Sequence, residues 1–273
     1  KDRWVSDVAD TVDDLAVMGG TDRYVVIGEY KGSGEVALYI VDAESGRRQH
    51  SVTFAGDYYL MDQKCRAFES TESVVCQLDN YESFTILDLE RGTASPVLDI
   101  ESRSWAVTGD TVFFRTSSEG LAYGVDGRPR WRAPLAYPLG VDESQPVNGS
   151  PVVEVVNGAV TSLRRVSDGK ELYRRDTTLD LGSSPNAELR WLPFAGGFAV
   201  ADSGNTALFD ADGRRTGSIS GWEPLEYRDM LVAGTPAAAP SLPIVVADGS
   251  VAAVNPATGT VLWKQSVSDT GTP

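Results

Sequence analysis

Short apolar or alternating runs recur along the whole chain, each closed by Gly, Asp, Asn, Ser or Pro. They fall in pairs: RYVVIGEY with EVALYIV, SVVCQL with SFTILDL, SWAVTG with TVFFRT, SPVVEVV with AVTSL, GGFAVAD with TALFD, and PIVVAD with SVAAVN. Their brevity, their β-branched residues and the turn residues around them predict strands throughout. Only Val8 to Met18 shows a weak helical period. The predicted fold class is all-β.

The runs are organised by a repeat. Six segments share one plan, in which a strand gives way to a small polar turn ending in glycine, and a further strand follows. They are YIVDAESG, TILDLERG, AYGVDG, SLRRVSDG, ALFDADG and AAVNPATG, ending at Gly46, Gly92, Gly127, Gly169, Gly213 and Gly259. The spacings are 46, 35, 42, 44 and 46 residues, a mean near 43, the length of a four-stranded propeller blade. Four residues beyond these glycines stand His50, Pro96, Trp131, Tyr173, Gly217 and Trp263. The turn residue and glycine supply the positive φ of the corner, and the rings at His50, Trp131, Tyr173 and Trp263 are predicted to dock the outer strand across a gap between sheets.

At this point VADGSVAAVNPATGTVLWK, residues 246–264, resembles the repeat of the pyrroloquinoline-quinone-like (PQQ-like) propeller family, and DGRPRW and YIVDAESG resemble worn copies of it. The resemblance implies a β-propeller of about six four-stranded blades over residues 1–273 as a single domain. Residues 1–22 and 134–150 leave room for a degenerate seventh. Arg3 to Val8 would be left over as a strand completing the last blade and covering its open edge. The family includes quinone-dependent dehydrogenases, a lipoprotein of outer-membrane barrel assembly, and sensory or scaffold domains of envelope proteins, so the fold alone does not choose a function.

Charge narrows the partners. With 24 basic and 39 acidic residues the net charge is -15, which disfavours nucleic acid and direct insertion into an anionic bilayer. No apolar run is long enough to span a membrane. Cys65 and Cys76 have ten residues between them, a spacing that suits facing positions on two antiparallel strands joined by a turn near Glu69 to Glu72. A disulfide there would place the chain in an oxidising compartment; the alternative is two separate buried thiols. Arginine supplies 19 of the 24 basic residues, a composition that fits a high-GC bacterium. Together with the resemblance to envelope propellers, the disulfide and the composition predict the extracytoplasmic part of a longer, membrane-anchored bacterial protein.

Candidate chemistry is sparse. His50 is the only histidine and falls at a docking position, so no Ser-His-Asp arrangement has a base. Two cysteines and one histidine do not complete a zinc site. Asp210-Ala211-Asp212-Gly213 opens like a calcium loop, yet the twelfth position is Gly221 where a bidentate glutamate belongs. Gly32-Ser33-Gly34 lacks the third glycine and the helix of a phosphate loop. A quinone-dependent dehydrogenase resembles this repeat but needs a larger ring, a calcium site and adjacent cysteines. The expectation is therefore no catalytic residue, no metal and no cofactor.

A binding role remains. The connections 54–60, 99–104, 134–150, 176–190 and 218–229 are the longest, and they carry or adjoin Tyr58, Tyr59, Trp105, Tyr137, Trp191, Trp222 and Tyr227. Aromatic side chains on loops held by a rigid frame form recognition surfaces; the alternative is that they cover the ends of the sheets. Asp57, Asp142, Glu143 and Glu223 beside them would favour a basic or aromatic partner face. The predicted function is a non-catalytic scaffold or assembly factor that holds other envelope or membrane proteins. A sensor binding a small ligand in the propeller channel is the rival.

Overall fold

The computed structural model describes residues 15–31, 34–55, 65–78, 82–102, 104–136, 146–176, 189–202, 204–225 and 239–266. Every regular element among them is a strand. By internal packing the chain forms two compact units, residues 1–117 with 121–130, and residues 118–120 with 131–273.

In the first unit, β1 (Leu15–Gly20), β2 (Tyr24–Tyr30), β3 (Glu35–Asp42) and β4 (Arg48–Ala55) form an antiparallel sheet in chain order. The second sheet consists of β5 (Cys65–Ala67), β6 (Ser73–Gln77), β7 (Ser83–Asp88) and an outer strand broken into β8 (Thr93–Ala94) and β9 (Leu98–Asp99), both paired to β7. Side chains alternate along a strand, so Tyr24 and Val26 of β2 face the second sheet while Val25 and Ile27 face the other way. Met18, Leu38, Ile40, Val74, Leu87 and Leu89 fill the layer between the two sheets, all fully buried. Each such side chain contributes about 1.5–3 kcal/mol by leaving water.

The third sheet runs β10 (Ser104–Thr108), β11 (Thr111–Arg115), β12 (Glu119–Gly124), β13 (Pro129–Pro134). Phe84 and Val75 of the second sheet pack against Trp105, Val112 and Phe114. In the second unit, β14 (Val152–Asn157), β15 (Val160–Arg165) and β16 (Glu171–Asp176) make the fourth sheet. The fifth is β17 (Trp191–Phe194), β18 (Gly197–Asp202), β19 (Asn205–Asp210) and β20 (Arg215–Ser220). The sixth is β21 (Glu223–Pro224), β22 (Ile244–Ala247), β23 (Ser250–Val254) and β24 (Val261–Ser266). Phe198, Val200 and Leu163 join the fourth sheet to the fifth, and Leu208, Val245 and Val254 join the fifth to the sixth.

The fold class is thus the expected one: all-β, with six blade-like antiparallel sheets of the β-propeller plan. Two sheets depart from four strands among the described residues. The second has five pieces because its outer strand breaks at Ser95-Pro96, where proline withholds a ladder donor, and the fourth has three. Leu15 to Met18, expected at the end of a weak helix, is strand β1; Val8 to Asp14 and the leftover Arg3 to Val8 lie outside the described residues.

All six turn glycines have φ between 64° and 79°. In every one of these turns an Asp or Asn side chain accepts a backbone N–H two or three residues on: Asp42 from Ser45 (2.7 Å), Asp88 from Arg91 (2.9 Å), Asp126 from Arg128 (3.1 Å), Asp168 from Lys170 (3.0 Å), Asp210 from Asp212 (2.9 Å) and Asn255 from Ala257 (2.9 Å). These Asx turns close the corner locally. The two hydrogen bonds that Ser45 gives Asp42 hold its carboxyl below the usual carboxylate range. Asp210 also accepts the Arg214 N–H at 2.9 Å, so Asp210 to Gly213 is a turn.

Candidate functional site

Cys65 and Cys76 face each other across β5 and β6, Cα atoms 4.0 Å apart, and are joined in a disulfide. Both half-cystines are buried in the layer between the first two sheets. The bridge ties down β5, a strand of three residues that precedes a buried Phe68.

The predicted docking residues divide. The His50 imidazole lies on Gly92, and its Nε2 donates to the Glu90 carbonyl at 3.1 Å. Trp131 lies on Gly169, and its indole N–H donates to the Val166 carbonyl at 2.7 Å. Each ring therefore sits on the turn glycine of the next repeat. At Gly213 the contact comes from Leu172, while Tyr173 turns its ring edge to Phe209 at 5.8 Å. Trp263 is 47% exposed, beside Val261 at 43% and Leu262 at 52%.

Of the predicted binding aromatics, Tyr58, Tyr59, Tyr137 and Tyr227 lie outside the described residues, as do Asp57, Asp142 and Glu143. Trp105 is not on a loop surface. It stands in β10, buried, edge-on to Phe84 at 5.6 Å. Arg66 stacks its guanidinium 3.9 Å above the indole and donates to the Trp105 carbonyl. Trp191 opens β17 and packs half-buried in the layer with Phe198. Trp222 is half-buried against Leu208 and Val245, its carbonyl accepting the Thr206 hydroxyl at 2.7 Å and its ring lying 5.1 Å from the Lys264 ammonium. Glu223 pairs with Arg190.

The physical reason is connection length. Residues 100–103 alone separate β9 from β10, and residues 221–222 alone separate β20 from β21, so rings at those ends are drawn into the sheet layers. The long connection near residue 225 is not between sheets, as 218–229 was expected to be. It runs from 225 to 243 within the sixth sheet, between β21 and β22.

One cleft, unforeseen from the residues, lies in the first unit. It has a volume of about 770 Å³ and is lined by the turn at Thr71 and Glu72, the turn at Asp88 to Arg91, the broken outer strand at Ser95-Pro96, and Asp126 of the next turn. Four carboxylates, Glu72, Asp88, Glu90 and Asp126, face one guanidinium, Arg91. Each carboxylate has a partner: Glu72 accepts the Thr21 hydroxyl at 2.5 Å, Asp88 pairs with Arg91 at 3.3 Å, Glu90 with Arg23 at 3.0 Å and Asp126 with Arg128 at 3.8 Å. Among the described residues no three His, Cys, Asp or Glu side chains are placed to hold a metal ion. The signal for the cleft was Pro96 itself, standing where four of the other five repeats carry a ring.

No protein-family model and no curated protein matches the chain. Among solved structures, BamB from Moraxella catarrhalis is similar over 92% of this chain and 76% of its own, at 16% identity and a TM-score of 0.43. The structure titled KlHsv2 with loop 6CD replaced by a Gly-Ser linker is similar over 93% of this chain and 99% of its own, at 8% identity and a TM-score of 0.29.

Proposed function

We propose that this chain is a non-catalytic protein-interaction scaffold, the extracytoplasmic part of a membrane-anchored envelope protein of a bacterium. The observation that carries the interaction role is the run Val261-Leu262-Trp263, three consecutive large apolar side chains, each 43% or more exposed, on the outer strand of the sixth sheet. Water-facing apolar residues scattered singly mean little, but a contiguous apolar strand marks a contact surface. The strand is backed by an antiparallel sheet with a side-chain-closed turn, the kind of frame that presentation of a fixed surface requires.

The Cys65–Cys76 disulfide supports the compartment. Disulfides persist in oxidising surroundings and are rare where thioredoxin and glutathione keep thiols reduced. Partners are then other envelope or membrane proteins.

The test is crosslinking and affinity capture of the full-length protein from its native membrane, wild type against a Leu262→Ser, Trp263→Ser double variant whose fold is verified by circular dichroism. The scaffold reading expects a reproducible set of envelope proteins with the wild type and its loss with the folded variant. Capture unchanged by the double substitution would remove β24 as the contact, and no reproducible capture from the wild type would remove the scaffold role.

A further inference from the structure

We infer that the cleft beside Pro96 is a docking site for an extended segment of a partner protein that presents an aromatic ring next to an arginine or lysine. The inference rests on the reading of the chain as a protein-binding module and gives it a defined site.

At two other corners a ring covers the turn glycine. His50 covers the turn glycine Gly92 with its imidazole, and Trp131 covers Gly169 with its indole. In the second sheet the corresponding position is Pro96, whose ring is short and fixed, and Gly127 is met only by Ser95, with Cβ 3.0 Å from where a β-carbon on Gly127 would stand. The outer strand that should run past this point is reduced to two dipeptides, β8 and β9. Beside this corner, where the outer strand is broken and Pro96 stands in place of a ring, lies an open space of about 770 Å³ lined by Ser95, Pro96, Val125 and Asp126 among others. That volume falls within the range of about 300–1,000 Å³ typical of ligand sites, and it exceeds what one side chain needs.

Charge says which side chain accompanies the ring. The lining carries four carboxylates and Arg91, and Arg23 and Arg128 pair with Glu90 and Asp126, so carboxylates exceed guanidiniums by four to three. Their present partners leave lone pairs free, since an ionised carboxylate offers about four acceptor positions. A planar guanidinium or an ammonium is the complement. An acidic segment, including one from a second copy of this chain with its net charge of -15, is repelled.

The test uses the 273-residue chain and two probes, acetyl-Gly-Trp-Arg-Gly-amide and acetyl-Gly-Trp-Glu-Gly-amide, followed by amide chemical shifts. The arginine peptide is expected to shift Thr93, Ala94, Ser95 and Asp126 saturably, and the glutamate peptide to bind roughly tenfold more weakly or less. Pro96→Trp supplies the missing ring from within and should abolish binding. Thr93→Arg places a cation at the cleft and should do the same, so the question is decided even where the tryptophan variant does not fold. Equal affinity for both peptides, shifts that map elsewhere, no saturable shift, or folded variants that bind as the wild type does would each overturn the site. Envelope capture lost on substituting Leu262 and Trp263, together with silence toward both peptides, would sink this inference while leaving the scaffold reading intact.

Discussion

His50 lays its imidazole on Gly92: a β-carbon built on Gly92 would stand 2.3 Å from His50 Cγ and 2.6 Å from Nδ1. Two constraints meet at this glycine. Its φ of 64° favours the absence of a side chain, and the ring occupies the space a side chain would take.

The two constraints can be separated by measurement. Gly158 has nearly the same φ, 63°, but nothing among the described residues within 4 Å of its hypothetical β-carbon. Gly158→Ala should therefore show the backbone cost alone, about 1–2 kcal/mol. Gly92→Ala should add the cost of displacing the ring, for a total of roughly 3–4 kcal/mol. Urea unfolding of the two variants checks this; equal losses would mean that the His50 ring yields freely.

The buried disulfide gives the second prediction. Cys65 is 7% exposed and Cys76 0%, so a reductant reaches the sulfurs only when the first two sheets part. Dithiothreitol without denaturant is expected to leave the bond intact by mass spectrometry, and to cleave it once urea opens the protein. Replacing both cysteines by alanine should cost about 2–4 kcal/mol. Rapid cleavage in the folded chain would show that β5 opens on its own.

A pH dependence follows from Asp110. Its carboxylate accepts two bonds from the Arg130 guanidinium, at 2.5 and 2.8 Å, and that partner holds it below the usual carboxylate range. A depressed folded value means stabilisation that is fully present above the unfolded value of about 3.9 and is lost as pH falls through the folded one. The pair is partly solvated, with side-chain exposures of 29% and 46%, so the contribution is at most about 1 kcal/mol. Asp110→Asn should be less stable than wild type by that amount near neutrality, and the difference should close in strong acid. A difference that persists at the lowest pH would point to packing instead.

Much of the fold was legible because it is local. Asp42, Asp88, Asp126, Asp168, Asp210 and Asn255 close their turns with atoms two or three residues away, and the glycines mark the corners, so the turn pattern in the residues maps directly onto structure. His50 and Trp131 were legible for the same reason. Tyr173 was not: a bulge lets Leu163 pair with Tyr173 and Arg164 with Glu171, and there the skipped residue, Leu172, rather than the ring reaches Gly213. The same irregularity skips Gln49, Thr216 and Leu262 in the outer strands of three other sheets. Of the candidate surface, Trp105 misled because an aromatic after a polar stretch looks the same whether it ends a loop or begins a buried strand. The choice was made by Phe84 and Arg66, 21 and 39 residues earlier in sequence. The cleft at Pro96 needed the third dimension, since a missing ring is visible only once the space it would fill has walls.

The last prediction concerns Gln77. It stands on β6, 4% exposed, on the same side of the strand as Val75, and its Nε2 has no hydrogen-bond partner among the described residues. An amide in that position carries the desolvation cost of its donors without the compensating bond, about 1–3 kcal/mol. Methionine matches glutamine in length, lacks its terminal branch and has no donor to satisfy, so Gln77→Met should raise the unfolding midpoint, by an amount corresponding to about 1 kcal/mol. Glutamate at the same place should lower it, because a buried carboxylate would either remain charged at high cost or take up a proton on folding. Thermal unfolding of the two variants against wild type decides. Loss of stability in the methionine variant would mean that Nε2 is satisfied by an ordered water whose release leaves neighbouring groups unpaired, and high-resolution density at that point would then show it.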